Sequence, residues 1–464
     1  MTSPNIVWVT LDSVRADHTS ISGNHRDTTP NMQRIAELPA GVSFSRCFSH
    51  ANYTRASVPS ILTGTYPTHH QVGMQGFEGT LPEGLETVAQ ILSREGYRTG
   101  AISRNANATM GIDRGFDRFE WISKSTLLNA VDKRTLLKFA LNVRKHSGGF
   151  TTDSTKHATP YMITDMAQRW IRQWEGSDEP FYLYLHYNEP HRPYYPPLRY
   201  LDRYSDNLDV SPREAADIAV DIHENIYEIM ANGCDLSKTE WAAVKSMYDA
   251  ELAYTDEMVG RLFDSIQERN LKDTIFVVTA DHGELFGERG LLSHTKLVHD
   301  AATRVPLVVH GAPELTDAAD DLIQHADLLE ALVDRAGGST TQFQGIDPQS
   351  ESRDFVVLQT CPDPLETIQQ HNPEFDPSQF HRAQLTALRT DEFKYQRSDD
   401  GEDLFKLPDE STDVSDTYPG VAEELSEYLD AWIAEYGEPY GETGDKKFSE
   451  AMRNQLRDLG YVME

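Results

Sequence analysis

Short apolar runs separated by polar turns recur along the chain, and most are too brief for helices. Residues 6–11 (IVWVTL), 99–103 (TGAIS), 181–186 (FYLYLH), 275–279 (IFVVT) and 306–310 (PLVVH) are rich in β-branched and aromatic residues and do not alternate. Such runs predict strands buried on both faces. Between them the apolar period lengthens to that of helices. One is predicted from Pro30 to about Leu38 with Thr29 as its cap, one over residues 85–95 stopped by Gly96, and a long one over residues 239–270. This alternation predicts an α/β fold, a mostly parallel sheet sandwiched by helices. After about residue 339 the pattern changes. Residues 354–359, 384–389 and 393–397 predict a small antiparallel sheet, and residues 423–436 a terminal helix. The expected division is a catalytic domain over residues 1–338 and a C-terminal α+β subdomain over 339–464, with residues 339–352 as linker. The basic, irregular stretch 124–157 is expected to be an insertion or lid.

In sheets of this kind ligands sit beyond the carboxyl ends of the strands. Polar groups follow the apolar runs at those ends: Asp12 after residues 6–11, His186 closing 181–185, and Asp281 with His282 after 275–279. Three segments thus converge on one sheet edge. The chain carries 74 acidic and 42 basic side chains, a formal net charge of −32. That field repels phosphate backbones and argues against nucleic-acid binding. The acids are spread rather than blocked, which suits a solvated, halophile-like surface. Three scattered cysteines give neither a disulfide framework nor a zinc-ligand spacing. With no apolar run of spanning length and no leader-like start, the expectation is a cytoplasmic protein without a membrane span.

Adjacent Asp281 and His282 can both face a divalent metal where Gly283 lets the chain turn, and Asp12 offers another hard oxygen. Asp12 is equally suited to capping a helix. In residues 52–70 a helix is predicted from near Thr54 to near Gly64. Either Thr54 or Ser57 could merely cap it; a hydroxyl there also lies where the helix dipole favours an anion.

The ordered set of segments resembles the sulfatase family of the alkaline-phosphatase superfamily. It comprises residues 5–17 (NIVWVTLDSVRAD), Thr29-Pro30-Asn31, residues 54–64 closing in Thr63-Gly64, Gly96-Tyr97-Arg98-Thr99, Gly115-Phe116-Asp117, Pro190-His191-Arg192-Pro193-Tyr194, Tyr248-Asp249-Ala250-Glu251, residues 281–284 and Arg304-Val305-Pro306-Leu307. Ala387-Leu388-Arg389-Thr390, Lys394-Tyr395 and Asp403-Leu404-Phe405 resemble the family's small terminal subdomain.

The resemblance implies that Asp12, Asp281 and His282 hold at least one divalent ion (Mn, Mg, Ca or Zn). It makes Thr54 the nucleophile and His191 and His294 the proton-handling groups. Asn105 and Arg15 are further candidates for contacts to a bound anion, Arg15 equally for a structural salt bridge; Lys296, close to His294, could neutralise the ester or be a surface lysine. The chain departs from the family at three places. Thr54 stands where sulfatases carry the Cys or Ser that becomes formylglycine, so no formylglycine is expected; Ser57 and Cys47 are decoys for that position. Ser13 replaces a second aspartate beside Asp12. Residues 103–107 (SRNAN) lack the usual Lys and His. These departures resemble superfamily phosphodiesterases and the phosphoglycerol and phosphoethanolamine transferases. The expected function is a metal-dependent hydrolase of sulfate or phosphate esters, phosphate favoured, acting on a small-molecule, glycan or lipid-headgroup anionic ester. A group transferase and a catalytically silent binding protein are the rival expectations.

Overall fold

The computed structural model describes residues 3–74, 79–105, 111–149, 156–269, 271, 273–294, 297–360, 365–441, 444–445 and 454. Its centre is an eight-stranded sheet. The strands are β1 (Asn5–Leu11), β2 (Gly41–Phe48), β3 (Arg98–Ser103), β4 (Arg118–Trp121), β5 (Phe181–Tyr187), β6 (Thr274–Ala280), β7 (Arg304–His310) and β8 (Ile323–Gln324). Their spatial order is β8-β2-β7-β6-β1-β5-β3-β4. All run parallel except β7, which pairs antiparallel with both β2 and β6. The five predicted strands are present. The half-exposed β2 and the edge strand β4 were not expected.

β1, β5 and β6 are apolar on both faces because helices flank the sheet. These helices include α1 (Pro30–Ala36), α2 (Thr54–Thr63), α3 (Val88–Arg94), α4 (Pro160–Trp174), α5 (Pro212–Glu224), α6 (Lys238–Glu268) and α7 (His325–Arg335). Helix α2 begins at Thr54 as expected and ends at Gly64, whose φ of 68° closes the helix in a left-handed turn. Thr29 does not cap α1. Its hydroxyl accepts from Ser20 N, and Asp256 of α6 takes the Asn31 and Met32 amides instead. A carboxylate carries full charge to the positive helix end, which a hydroxyl does not.

The C-terminal sheet is an antiparallel meander of β9 (Val356–Thr360), β10 (Leu385–Arg389), β11 (Phe393–Ser398) and β12 (Gly401–Lys406). Helix α8 (Pro419–Tyr436) covers it with Leu425, Leu429 and Trp432. The meander abuts the β8/β2 edge, where Gln324 bonds Val357 and Gln359 N donates to His50 O. Residues 339–352 pack closely: Gln344 N donates to Gly64 O, and Ile346 N to Asp327. Among the described residues, no helix is long and apolar enough to cross a membrane.

Candidate active site

Strand register assembles the site. Leu11 lies opposite Tyr187 on β5 and Ala280 on β6, so the residues that follow β1 and β6, Asp12 and Asp281, emerge side by side. His186 pairs with Thr10, one step back. Ser13 makes the first turn at φ 62°, a conformation disfavoured for a residue with a Cβ. That turn lets Ser13 N donate to Asp281 Oδ1 and Ser13 O accept from the Tyr248 hydroxyl. Gly283 permits the second turn. A Cβ there would meet Ala301 O at 2.1 Å.

Asp12, His186 and Asp281 each offer a ligand atom within 4.8 Å of the others. His186 Nε2 is 3.3 Å from Asp12 Oδ2 and 3.9 Å from Asp281 Oδ2. His282 Nε2 is 3.6 Å from both Asp12 Oδ1 and Asp281 Oδ2, and 3.1 Å from Thr54 Oγ1. All five residues are fully buried. The His282 Nδ1 lies 2.8 Å from Gly283 O, which fixes the proton on Nδ1 and aims the Nε2 lone pair at Thr54 and the carboxylates.

Burial works to raise the Asp12 pKa, but His191, His186 and His282 outweigh it and hold the carboxyl well below its ordinary range. Burial, and after it the Asp12 charge, push Asp281 up. Two buried carboxylates this close do not both ionise comfortably without a cation. Asp281 Oδ2 has no hydrogen-bond partner among the described residues, while Oδ1 accepts two backbone amides. An orphaned buried carboxylate oxygen beside imidazole nitrogens is a donor set that fits a divalent metal.

The expected residues fall into three groups. Thr54, Asp12, Asp281 and His282 are brought together. His294 stacks 4.3 Å from His282 between ring centroids, and His191 lies 5.3 Å from His294. His294 Nδ1 is 3.3 Å from Glu284 Oε2, and His191 Nδ1 is 2.8 Å from Arg192 O. Burial lowers the His191 pKa to about 4. Asn105 donates to Asp12 Oδ2 at 2.5 Å, so it holds a carboxylate of the cluster. Arg15 is turned away. Its guanidinium pairs with Asp17 and Glu288 and covers the Phe286 ring. Lys296 lies outside the described residues. Of the decoys, Ser57 donates to Asp281 O at 2.6 Å, and Cys47 is buried in β2 with its thiol pKa raised by burial.

Sequence reasoning placed His186 at the right strand end, among the metal- or proton-handling groups of that sheet edge, but did not name it as a ligand. Its only signal was its position at the close of a buried strand; the pairing with Thr10 that brings it to Asp12 is not written in the sequence.

A family model described as Sulfatase matches residues 4–338. The chain is 23% identical over 353 residues to an uncharacterised sulfatase of Escherichia coli, covering 72% of this chain and 68% of that protein. It is 24% identical over 370 residues to an arylsulfatase of Clostridium perfringens, covering 72% and 75%. Among solved structures, the phosphonate monoester hydrolase of Agrobacterium radiobacter superposes with a TM-score of 0.69 at 21% identity, over 93% of this chain and 96% of that one. At that identity the likeness shows the fold.

Proposed function

The chain belongs to the sulfatase family, and from that premise we propose that it is a metal-dependent hydrolase of sulfate or phosphate esters that uses Thr54 as nucleophile and favours phosphoesters. The observation that carries this reading is the 3.1 Å approach of Thr54 Oγ1 to His282 Nε2, beside two buried carboxylates.

Asp12, Asp281 and His282, with His186 alongside, would hold the metal. When bound, the ion lowers the pKa of a nearby hydroxyl and draws charge from the ester oxygens. His282, its Nδ1 proton held by Gly283 O, keeps its Nε2 lone pair turned into the carboxylate cluster, 3.1 Å from Thr54 Oγ1, where it would serve the ion rather than take the hydroxyl proton. Thr54 opens α2, so the helix's positive end faces the oxygens that gain charge during attack. In the first step Thr54 Oγ1, its proton given up to solvent, forms a bond to phosphorus, and the bond to the leaving oxygen breaks. The departing alkoxide takes a proton from His191 or His294. A neutral His191 becomes the acid only when a bound anionic ester raises its proton affinity. In the second step water gives a proton back to the same histidine and attacks phosphorus, and the bond between phosphorus and Thr54 Oγ1 breaks. Asn105 fixes Asp12 for both steps.

The preference for phosphorus rests on the nucleophile. A secondary alcohol cannot become the aldehyde of formylglycine, because its Cβ carries a methyl group. Release must therefore come by attack of water on the esterified centre itself.

The test is hydrolysis of nitrophenyl sulfate, nitrophenyl phosphate and bis-nitrophenyl phosphate with several divalent metals, beside Thr54→Ala. Phosphoester turnover that vanishes in the variant supports the proposal. Sulfate turnover that survives Thr54→Ala overturns the nucleophile.

A further inference from the structure

The acidic chain carries one strongly basic, apolar-faced surface. Residues 124–157 hold seven Lys or Arg and two Asp, against a net charge of −32 for the whole. Within them, the helix Lys133–Leu141 is capped by Asp132 and turns Thr135, Leu136 and Phe139 inward. Its outer face shows Leu137, 60% exposed, and Leu141, 75% exposed, one helical turn apart. Leu128, 80% exposed, stands on the short helix just before it. Lys133, Arg134, Arg144 and Lys145 surround the leucines and are exposed. Large side chains open to this degree and grouped in this way mark a docking surface.

A complementary surface exists on the same chain. Helix α8 carries five acidic residues and no basic ones. Glu424, Glu427, Tyr428, Ala431 and Glu435 are exposed and follow the three-and-four spacing of one helical stripe. Tyr428, 44% exposed, is the large apolar-bodied side chain on that stripe. One surface thus presents leucines among cations and the other a tyrosine among carboxylates, so the signs are opposite.

The two surfaces belong to opposite ends of the main sheet. Residues 124–157 follow β4, the edge strand at one end, while α8 lies on the meander that abuts β8, the edge strand at the other. One copy therefore cannot satisfy itself. We propose that the basic leucine face at residues 128–145 docks on the acidic α8 of a second copy of this chain, in a head-to-tail contact. Such heterologous contacts close into rings or extend as filaments. An anionic lipid surface would also suit a basic amphipathic helix. The acidic body disfavours it, and it leaves the tyrosine of α8 uncovered.

The experiment is sedimentation velocity at moderate salt on the full chain and two variants, Leu137→Asp/Leu141→Asp and Glu424→Lys/Glu427→Lys. All four positions are exposed, and circular dichroism and melting curves check that each variant is folded. The expected result is a wild type larger than one chain and two variants that each sediment as monomers. Mixed, the variants form a one-to-one dimer, because each retains the surface its partner lost. A wild-type monomer overturns the proposal, whether or not it sediments with phosphatidylserine vesicles. So does a wild-type oligomer that either variant leaves intact, or a mixture that stays monomeric.

Discussion

Thr54 and His282 stand 228 positions apart in sequence and meet side chain to side chain at 3.1 Å. The contact spans the first turn of α2 and the end of β6, which Ser57 ties together through Asp281 O. Two hydroxyls of one helix thus face the same strand end with different tasks.

Thr54→Ala is expected to lower kcat by on the order of 10^4-fold or more, and Thr54→Ser to retain measurable turnover. Ser57→Ala keeps the nucleophile and loses a buried hydrogen bond, at about 1 kcal/mol of stability. Steady-state kinetics beside melting curves separate the two. Loss of turnover in Ser57→Ala with Thr54→Ala still active would reverse the assignment.

The paired carboxylates make a prediction about metal with a readout other than activity. Asp281→Asn keeps the Oδ1 acceptor for Ser13 N and His282 N and removes one buried charge. Without added metal it should melt no lower than the wild type. A divalent ion at a hundredfold excess over its Kd stabilises the wild type by about 2.7 kcal/mol and should leave Asp281→Asn nearly unmoved. Equal thermal shifts in both proteins would place the ion elsewhere.

His70 predicts acid sensitivity independent of catalysis. Its Nδ1 accepts from Val72 N and its Nε2 lies 3.1 Å from Ser60 Oγ, so the neutral ring is used on both sides. Burial lowers its pKa from 6.5 to about 3. Above the unfolded value neither state binds the proton and the ring's contribution is complete. As pH falls from 6.5 toward 3, the unfolded chain takes up a proton that the folded chain refuses. Stability drops by about 1.4 kcal/mol per pH unit over that window. His70→Gln should be less stable than wild type at pH 7.5, with the gap narrowing by roughly 2 kcal/mol at pH 5. A gap that stays constant with pH would sink this account.

Gly283 has no room for a methyl group against Ala301 O, 2.1 Å from where its Cβ would be. Gly283→Ala is expected to cost about 1–3 kcal/mol and to displace His282, lowering turnover more than binding. Unchanged kcat with a lowered melting temperature would mean that the turn relaxes without moving the imidazole.

The sequence was most legible where burial is symmetric. β1, β5 and β6 are covered on both faces and declare themselves as unbroken apolar runs. β2 is half exposed, with Ser45 and Arg46 facing out, and its broken pattern hid it. Strand direction was not legible: residues 304–310 look like the other buried strands but run antiparallel. The cap of α1 was misassigned to Thr29 because Asp256 lies 225 residues away from Asn31. Asp12, Asp281 and His282 were found because they follow strands. For Arg15 the sequence left an anion contact and a structural salt bridge open, and its side chain makes the salt bridge, to Asp17 and Glu288.

The placement of β1 between β5 and β6 also sets a timetable. Asp12 is made before residues 186 and 281, and it acquires its neighbours only when both have followed. A chain made only as far as β5 holds one carboxylate of the pair. The cluster exists only once β6 has paired beside β1, so the site belongs to the assembled sheet and to no segment of it.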